Sequence, residues 1–244
     1  MTTSIFVLGL LLGFQHAFEA DHIGAVVGMK GRSAQTNYLL VREFLSIAGH
    51  WAVGHGLVLI LAAIVVYTLN LQIPASISQA AEVAVGTILC LFAGRFFKPK
   101  SRSVSNSPFS PQLAGSSADS SEQKPMPGWR ITGSARALLF GMLHGFAGSG
   151  ALFIILATTG GERSDALFHI SIFSLGTLGG MMLISLFIAW SMSKSASALA
   201  GHTKTINRII GSVLLLIGGS LIYGNSEIVS NIIAGWITIF ITHV

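Results

Sequence analysis

The sequence predicts an all-α, polytopic membrane protein of six helical spans, seven if the tail also crosses, built as a three-plus-three inverted repeat. Three observations predict it. Of the 244 residues, 52% are hydrophobic and only 9% charged, whereas a soluble domain carries about 25% charged residues. The mean hydropathy is +0.72, so the chain has too little polar surface to coat a globule in water. Six segments reach the roughly 20 apolar residues that cross a hydrocarbon layer. The two halves of the chain also share short patterns in the same order.

The elements follow in chain order. Span 1 covers 3–28; no basic n-region precedes it, so it reads as a retained span rather than a signal peptide. Spans 2 and 3 cover 44–68 and 77–97 and close a first repeat, 1–97. The link 98–134 is rich in Ser, Pro and Gln, which predicts a disordered cytoplasmic loop. It holds no His or Cys, so it carries no metal role. Spans 4, 5 and 6 cover 135–159, 167–192 and 206–224 and form the second repeat, 135–224. The tail 225–244 is apolar from Ile228 onward and reads either as a short seventh span or as an interfacial segment. Cys90 is the single cysteine, which excludes an intrachain disulfide and a thiolate zinc site.

Basic residues orient the chain. Lys30, Arg32 and Arg42 follow span 1; Arg95, Lys98, Lys100, Arg102, Lys124, Arg130 and Arg136 surround the link between spans 3 and 4; Lys194, Lys204 and Arg208 lie between spans 5 and 6. Only Arg163 falls on the opposite side, beside Glu162 and Asp165. The positive-inside rule then places the N-terminus outside a cytoplasmic (inner) membrane and the loop 98–134 inside. The net charge of +5 is thereby explained by topology and needs no nucleic-acid partner.

The halves align at a shift of about 125 residues. Val85–Gly94 (VGTILCLFAG) matches Ile210–Gly219 (IGSVLLLIGG), Leu45–Ile47 matches Ile170–Ile172, and Gly54 meets Gly179. With a three-residue adjustment, Gly13–Phe18 (GFQHAF) matches Gly141–Phe146 (GMLHGF), which relates His16 to His144. Three spans per half is an odd number, so the second half enters from the opposite side. Transporters of this build bind substrate near the midplane, where the halves meet.

Polar groups lie at that depth. His16, His55 and His144 fall near the middle of spans 1, 2 and 4, and His50 is about a turn and a half from His55. A charge at the bilayer centre costs about 3 kcal/mol on insertion scales, so such residues normally face a cavity or each other. One such histidine is readily explained as a packing hydrogen bond; a cluster with Glu19, Asp21 and His22 is not. At about 100° per residue, His16, Glu19 and His22 share one face of a helix, and Asp21 points elsewhere. Either Asp21 orients a different partner or the helix is distorted, for which Gly13, Gly24 and Gly28 give room. Imidazoles and carboxylates without thiolate suit a divalent transition metal, nickel or cobalt by affinity, with zinc not excluded.

His16–Ile23 (HAFEADHI) resembles the H-x4-D-H motif of the nickel/cobalt transporter family. The resemblance implies that His16, Asp21 and His22 select the ion. Val53–Leu59 (VGHGLVL) is similar to a second family motif with a Gly-His-Ser core, with Gly56 in place of the serine. The third family motif is missing. In its place Gly141–Leu152 (GMLHGFAGSGAL) is similar to the shorter urease-accessory permeases of the same superfamily. The expected substrate is Ni2+ or Co2+, with no resident cofactor and no enzymatic activity. The expected metal set is His16, Asp21, His22, His55 and His144, extended by Glu19 and His50. His169 sits at the outer end of span 5, and His202 and His243 lie outside the spans.

Three other readings compete. Sulfur-anion exporters also use inverted membrane repeats, but an anion site favours intramembrane Arg or Lys. An intramembrane serine protease would use Ser149, yet span 6 offers no histidine base. A scaffold for partner subunits leaves the polar cluster without a purpose. No G-x-x-x-x-G-K-[ST] stretch is present, so transport would draw on membrane potential, a proton gradient or a partner. Partners beyond the metal ion and the bilayer, including a second copy of the chain, are not specified by the sequence.

Overall fold

The computed structural model describes residues 2–30, 37–69, 74–97, 133–148, 163–195, 202–231 and 234. The elements are α1 (Thr2–His16), α2 (Ala20–Lys30), α3 (Asn37–Leu69), α4 (Ala75–Phe97), α5 (Gly133–Ala147), α6 (Arg163–Ser195) and α7 (Thr203–Gly224). No strand occurs among the described residues. Among the described residues, four helices are long and apolar enough to cross a membrane: α3, α4, α6 and α7.

Span 1 is distorted, one of the two alternatives that the position of Asp21 leaves open in the sequence. It is two helices joined by a turn at 17–19. Ala17 N–H still donates to the Gly13 carbonyl, but Phe18 and Glu19 donate to Gln15 and His16, three residues back. This tightened turn ends α1. The chain restarts when Ile23 N–H donates to Glu19. Glu19 and Asp21 sit at the start of α2, where negative charge complements the exposed N–H groups of a helix terminus. The three glycines proposed as hinges do other work. A Cβ on Gly13 would lie 2.0 Å from the Phe173 carbonyl, and Gly24 and Gly28 face Leu214 and Phe92.

Of span 4, the described residues hold α5 and the turn at Gly148. Helix α5 has 15 residues, as α1 does, so each is about 22 Å long and neither crosses a 30 Å hydrocarbon core alone. Residues 149–162 lie outside the described set, and so do 98–132 of the expected loop. Gly133 and Ser134 already belong to α5. In the tail, 226–231 are helical, and the question of a seventh span falls outside the described residues.

Glycines set the helix pairs and their directions. Gly9 faces Ile172 and Gly180 faces Ala17, so α1 runs parallel to α6. Gly141 faces Trp51 and Gly145 faces Val58, so α3 runs parallel to α5. Gly49 faces Met182 and Gly56 faces Ser174, which makes α3 and α6 antiparallel. Gly86 meets Gly218, and Gly211 meets Phe96 and Phe97, which makes α4 and α7 antiparallel. Small residues let backbones approach where lipid supplies no hydrophobic drive.

The matched Gly13 and Gly141 make the same kind of contact, each pressed against a neighbouring carbonyl. Gly54 and Gly179 do not. Gly54 faces the Leu138 carbonyl, whereas a Cβ on Gly179 meets open space; the comparable contact is Gly176 against the Leu10 carbonyl.

The outer face is as apolar as the interior. Helix α3 buries Trp51, His55, Leu59 and Ala63 and exposes Val53, Leu57, Leu61 and Ile64. Helix α6 exposes Leu175, Leu183, Phe187 and Trp190. A patch this large is not tolerated in water; lipid is the solvent it matches.

Candidate metal centre

The breaks in the helices assemble the centre. His16 is the last residue of α1 and His144 lies in the last turn of α5. Asp21 and His22 open α2, and His55 comes from the middle of α3. With the turn at 17–19, Asp21 no longer points away from His16 and His22. Both carboxylates instead hold imidazoles. Asp21 Oδ1 accepts from His22 Nδ1 at 2.9 Å and from the His22 backbone N–H at 2.9 Å. Asp21 Oδ2 accepts from His144 Nε2 at 3.1 Å. Glu19 Oε1 accepts from His16 Nδ1 at 2.8 Å. A carboxylate only accepts, so these bonds assign the N–H to those ring nitrogens.

The other ring nitrogens have no partner. His16 Nε2, His22 Nε2, His144 Nδ1 and both nitrogens of His55 are buried without a hydrogen bond. The rings crowd together: His22 lies 4.4 Å from His16, 4.5 Å from His144 and 5.8 Å from His55 between centroids. Two overlapping sets, His16–His22–His55 and Asp21–His22–His144, bring ligand atoms within 4.8 Å of one another. Ligands bonded to one ion at about 2.1 Å lie no more than about 4.2 Å apart. Small ring rotations therefore close either set onto an ion.

Trp51 forms a wall. Its indole stacks on His55 at 5.1 Å and 20° and meets His22 and His144 edge-on at 4.8 and 5.2 Å. Phe173 covers His16 at 5.2 Å. On the opposite side, the cluster opens into a cavity of about 330 Å³ lined by His16, Glu19, Asp21, His22, Glu82 and His144, with Val85, Ala147, Gly148 and Leu221. Those lining residues include three acids and no lysine or arginine. Glu82 is oriented by Asn225, whose Nδ2 donates to Oε2 at 2.7 Å.

Of the residues singled out in sequence, His16, Glu19, Asp21, His22, His55 and His144 come together. His50 does not: it is exposed, and its Nδ1 donates to the Ser46 carbonyl of its own helix at 2.7 Å. Five residues from His55 is about 140° around a helix. His169 lies near Phe168, away from the cluster, and His202 is exposed at the start of α7. Ser149 and His243 lie outside the described residues. Sequence reasoning missed Trp51, Gly148, Glu82 and Asn225. Glu82 carried a signal, since it is the one carboxylate in span 3.

Fold and cluster together define a helical membrane protein with a buried histidine–carboxylate centre. The chain is similar to the urease accessory protein UreH of Bacillus sp. (strain TB-90), 26% identical over 235 residues that cover 96% of each chain. No protein-family model matches it, and no solved structure matches it.

Proposed function

We propose that the chain is a permease for a divalent transition metal, with nickel the first substrate and cobalt the second, taken up across a bacterial-type cytoplasmic membrane. One observation carries the reading: His22 packs against the imidazoles of His16, His55 and His144 at 4.4, 5.8 and 4.5 Å between centroids, and all four keep a buried ring nitrogen without a protein partner. A buried unsatisfied polar atom costs about 1–3 kcal/mol. Concentrating several in one place makes sense for a ligand that accepts lone pairs. Glu19 and Asp21 take the N–H of His16, His22 and His144 and leave the opposite nitrogen as the donor, the usual way a carboxylate presents a metal-binding histidine. Asp21, with both oxygens engaged, acts by orienting two rings.

The acids of the cavity favour a cation over the sulfur-anion alternative. An anion would face Glu19, Asp21 and Glu82 with no basic residue among the lining side chains. The likeness to a urease accessory protein favours nickel, in keeping with the resemblance of Gly141–Leu152 to the urease-accessory permeases. The helix pairing supports the inverted repeat: α1 with α6 and α3 with α5 run parallel, while α3 with α6 and α4 with α7 run antiparallel. Counting α1 with α2 as one span, and α5 with the apolar stretch after it as another, gives six. An inward potential supplies about 4.6 kcal/mol per 100 mV for a divalent ion, which suffices for uptake.

The test is nickel accumulation in cells expressing the wild type or His22→Ala at matched membrane levels. Accumulation above empty cells that His22→Ala abolishes supports import through this centre. Accumulation below empty cells, reversed by the mutation, means export. No difference among the three rejects the nickel reading.

A further inference from the structure

Two cavities lie at opposite ends of the same three helices. The one that opens onto the histidines is lined by Asp21 and His22 at the start of α2, Glu82 and Val85 in the first half of α4, and His144 near the end of α5. A larger one, of about 750 Å³, is lined by Met29 at the end of α2, Ile88 and Phe92 further along α4, and Phe140 and Leu143 earlier in α5. The two come close. His144 lines one and its neighbour Leu143 the other, and Val85 and Ile88 are less than a helical turn apart.

Both cavities follow one seam. On one side of it stand α4 and α7, pressed together where Gly86 meets Gly218, with Glu82 held by Asn225 just past the end of α7. On the other side stand the remaining helices. Glycine contacts pair α1 with α6, and α3 with both α5 and α6. Helix α2 is tied to this group at both ends, by Asp21 to His144 of α5 and by Lys30 to Glu43 of α3 at 2.8 Å. His16, Asp21, His22, His55 and His144 all belong to this group. Across the seam, Gly24 faces Leu89, Leu214 and Ile217, and Gly28 faces Phe92. The Phe92 ring lies 5.8 Å from that of Phe140, and Ser78 Oγ donates to the Ala147 carbonyl at 3.0 Å. Flexible side chains resting on glycine hold no fixed register, which is the kind of surface that tolerates small sliding of packed helices.

We propose that α4 and α7 move as one body against α1, α2, α3, α5 and α6, and that this motion opens the two cavities to the metal centre in turn. The proposal rests on the transport reading. The five metal-facing side chains lie in one body, so the centre keeps its geometry while the wall beside it shifts. Alternating access by one bundle rocking against another around a fixed site is a general solution for membrane transport. Here the division cuts across the two halves of the sequence, because α4 closes the first half and α7 closes the second.

Disulfides test it, since a Cβ on Gly28 would lie 3.0 Å from that of Phe92, one on Gly9 3.8 Å from that of Ile172, and one on Gly211 3.1 Å from that of Phe96, against about 3.5–4.5 Å in disulfides. The full chain carries C90S and is reconstituted in liposomes for nickel uptake. Oxidised G28C/F92C, locked across the seam, should lose uptake at least about tenfold and regain it with a phosphine reductant. Oxidised G9C/I172C and F96C/G211C, each locked within one body, should stay within about twofold of their reduced forms. Undiminished uptake in oxidised G28C/F92C overturns the proposal, as does an equal loss in the two within-body variants. A second measurement is independent of uptake: pulsed EPR distances between nitroxides on exposed positions, without metal and with diamagnetic zinc. The cross-seam pair L91C/L183C should give two distances, or one that zinc shifts, while L57C/L183C and L91C/V213C give single fixed distances. One unshifted distance for L91C/L183C overturns the proposal. Two distances there in a protein that accumulates no nickel would sink the transport reading and leave the two-body division standing.

Discussion

Asp21 and His144 are joined at 3.1 Å across 123 residues of sequence. The same carboxylate holds His22 through its other oxygen. It therefore fixes two rings, from α2 and α5, whose other nitrogens are buried without a hydrogen bond. Replacing it with asparagine preserves volume but removes the anion, and a side-chain amide cannot accept through both of its ends. We expect Asp21→Asn to weaken nickel binding by about 10–100-fold, the usual cost of losing an outer-shell carboxylate, with the protein still folded. Equilibrium titration of purified protein measures this; wild-type affinity in Asp21→Asn would remove the orienting role.

Gly148 offers a steric test of where the ion sits. A Cβ there would lie 3.6 Å from His55 Nε2 and 3.9 Å from His16 Nε2, ordinary contact distances. Gly148→Ala should therefore fold with a melting temperature close to that of wild type. Its methyl group would nevertheless stand beside the two nitrogens that an ion must share. Transport should fall about tenfold, the equivalent of about 1.4 kcal/mol. Unchanged uptake would place the ion elsewhere, for instance in the Asp21–His22–His144 set alone.

Glu82 should act on capture rather than on binding at the histidines. It shares the cavity with them and is held by Asn225. Glu82→Gln keeps the Asn225 contact through its carbonyl and loses the charge. The expected result is a KM for nickel raised about tenfold at low ionic strength, a gap that narrows as salt screens the field. Uptake kinetics at two ionic strengths decide it. A loss of kcat with unchanged KM would mean that Glu82 serves a later step.

His50 shows where sequence reasoning reaches its limit. Depth in the membrane can be read from hydropathy, so His16, His55 and His144 were legible as one layer. Direction around a helix is legible only while the helix is regular. His50 lies at a similar depth to His55 but on another face, bonded to Ser46. His50→Ala should leave uptake within about twofold of wild type, because that bond is local to its own helix and worth about 1 kcal/mol or less. The direction of Asp21 has two readings in sequence, a separate partner or a distorted helix. A straight helix turns it away from His16, and only the i→i−3 turn at Phe18 and Glu19 brings it back. Nothing in the residue types at 17–19 announces that turn. Its groups are held locally by His16 on Glu19, and by residues more than 30 positions away: His55 and Phe173 against His16, and His144 on Asp21.

The pH dependence of uptake follows from which protonation state binds. An ion needs the lone pair of His16 Nε2, His22 Nε2 or His55, and a proton on that nitrogen blocks it. Protons and metal thus compete, and affinity is full above the imidazole pKa and falls as pH drops through it. Uptake at fixed free nickel should therefore decline as pH falls. Uptake measured from about pH 7 down to about pH 4 with the membrane potential clamped by valinomycin and potassium reads this competition. A profile flat over the whole range would remove the histidines from direct contact with the ion. If the fall is seen and His22→Ala abolishes transport at every pH, the decline belongs to the metal centre rather than to the driving force.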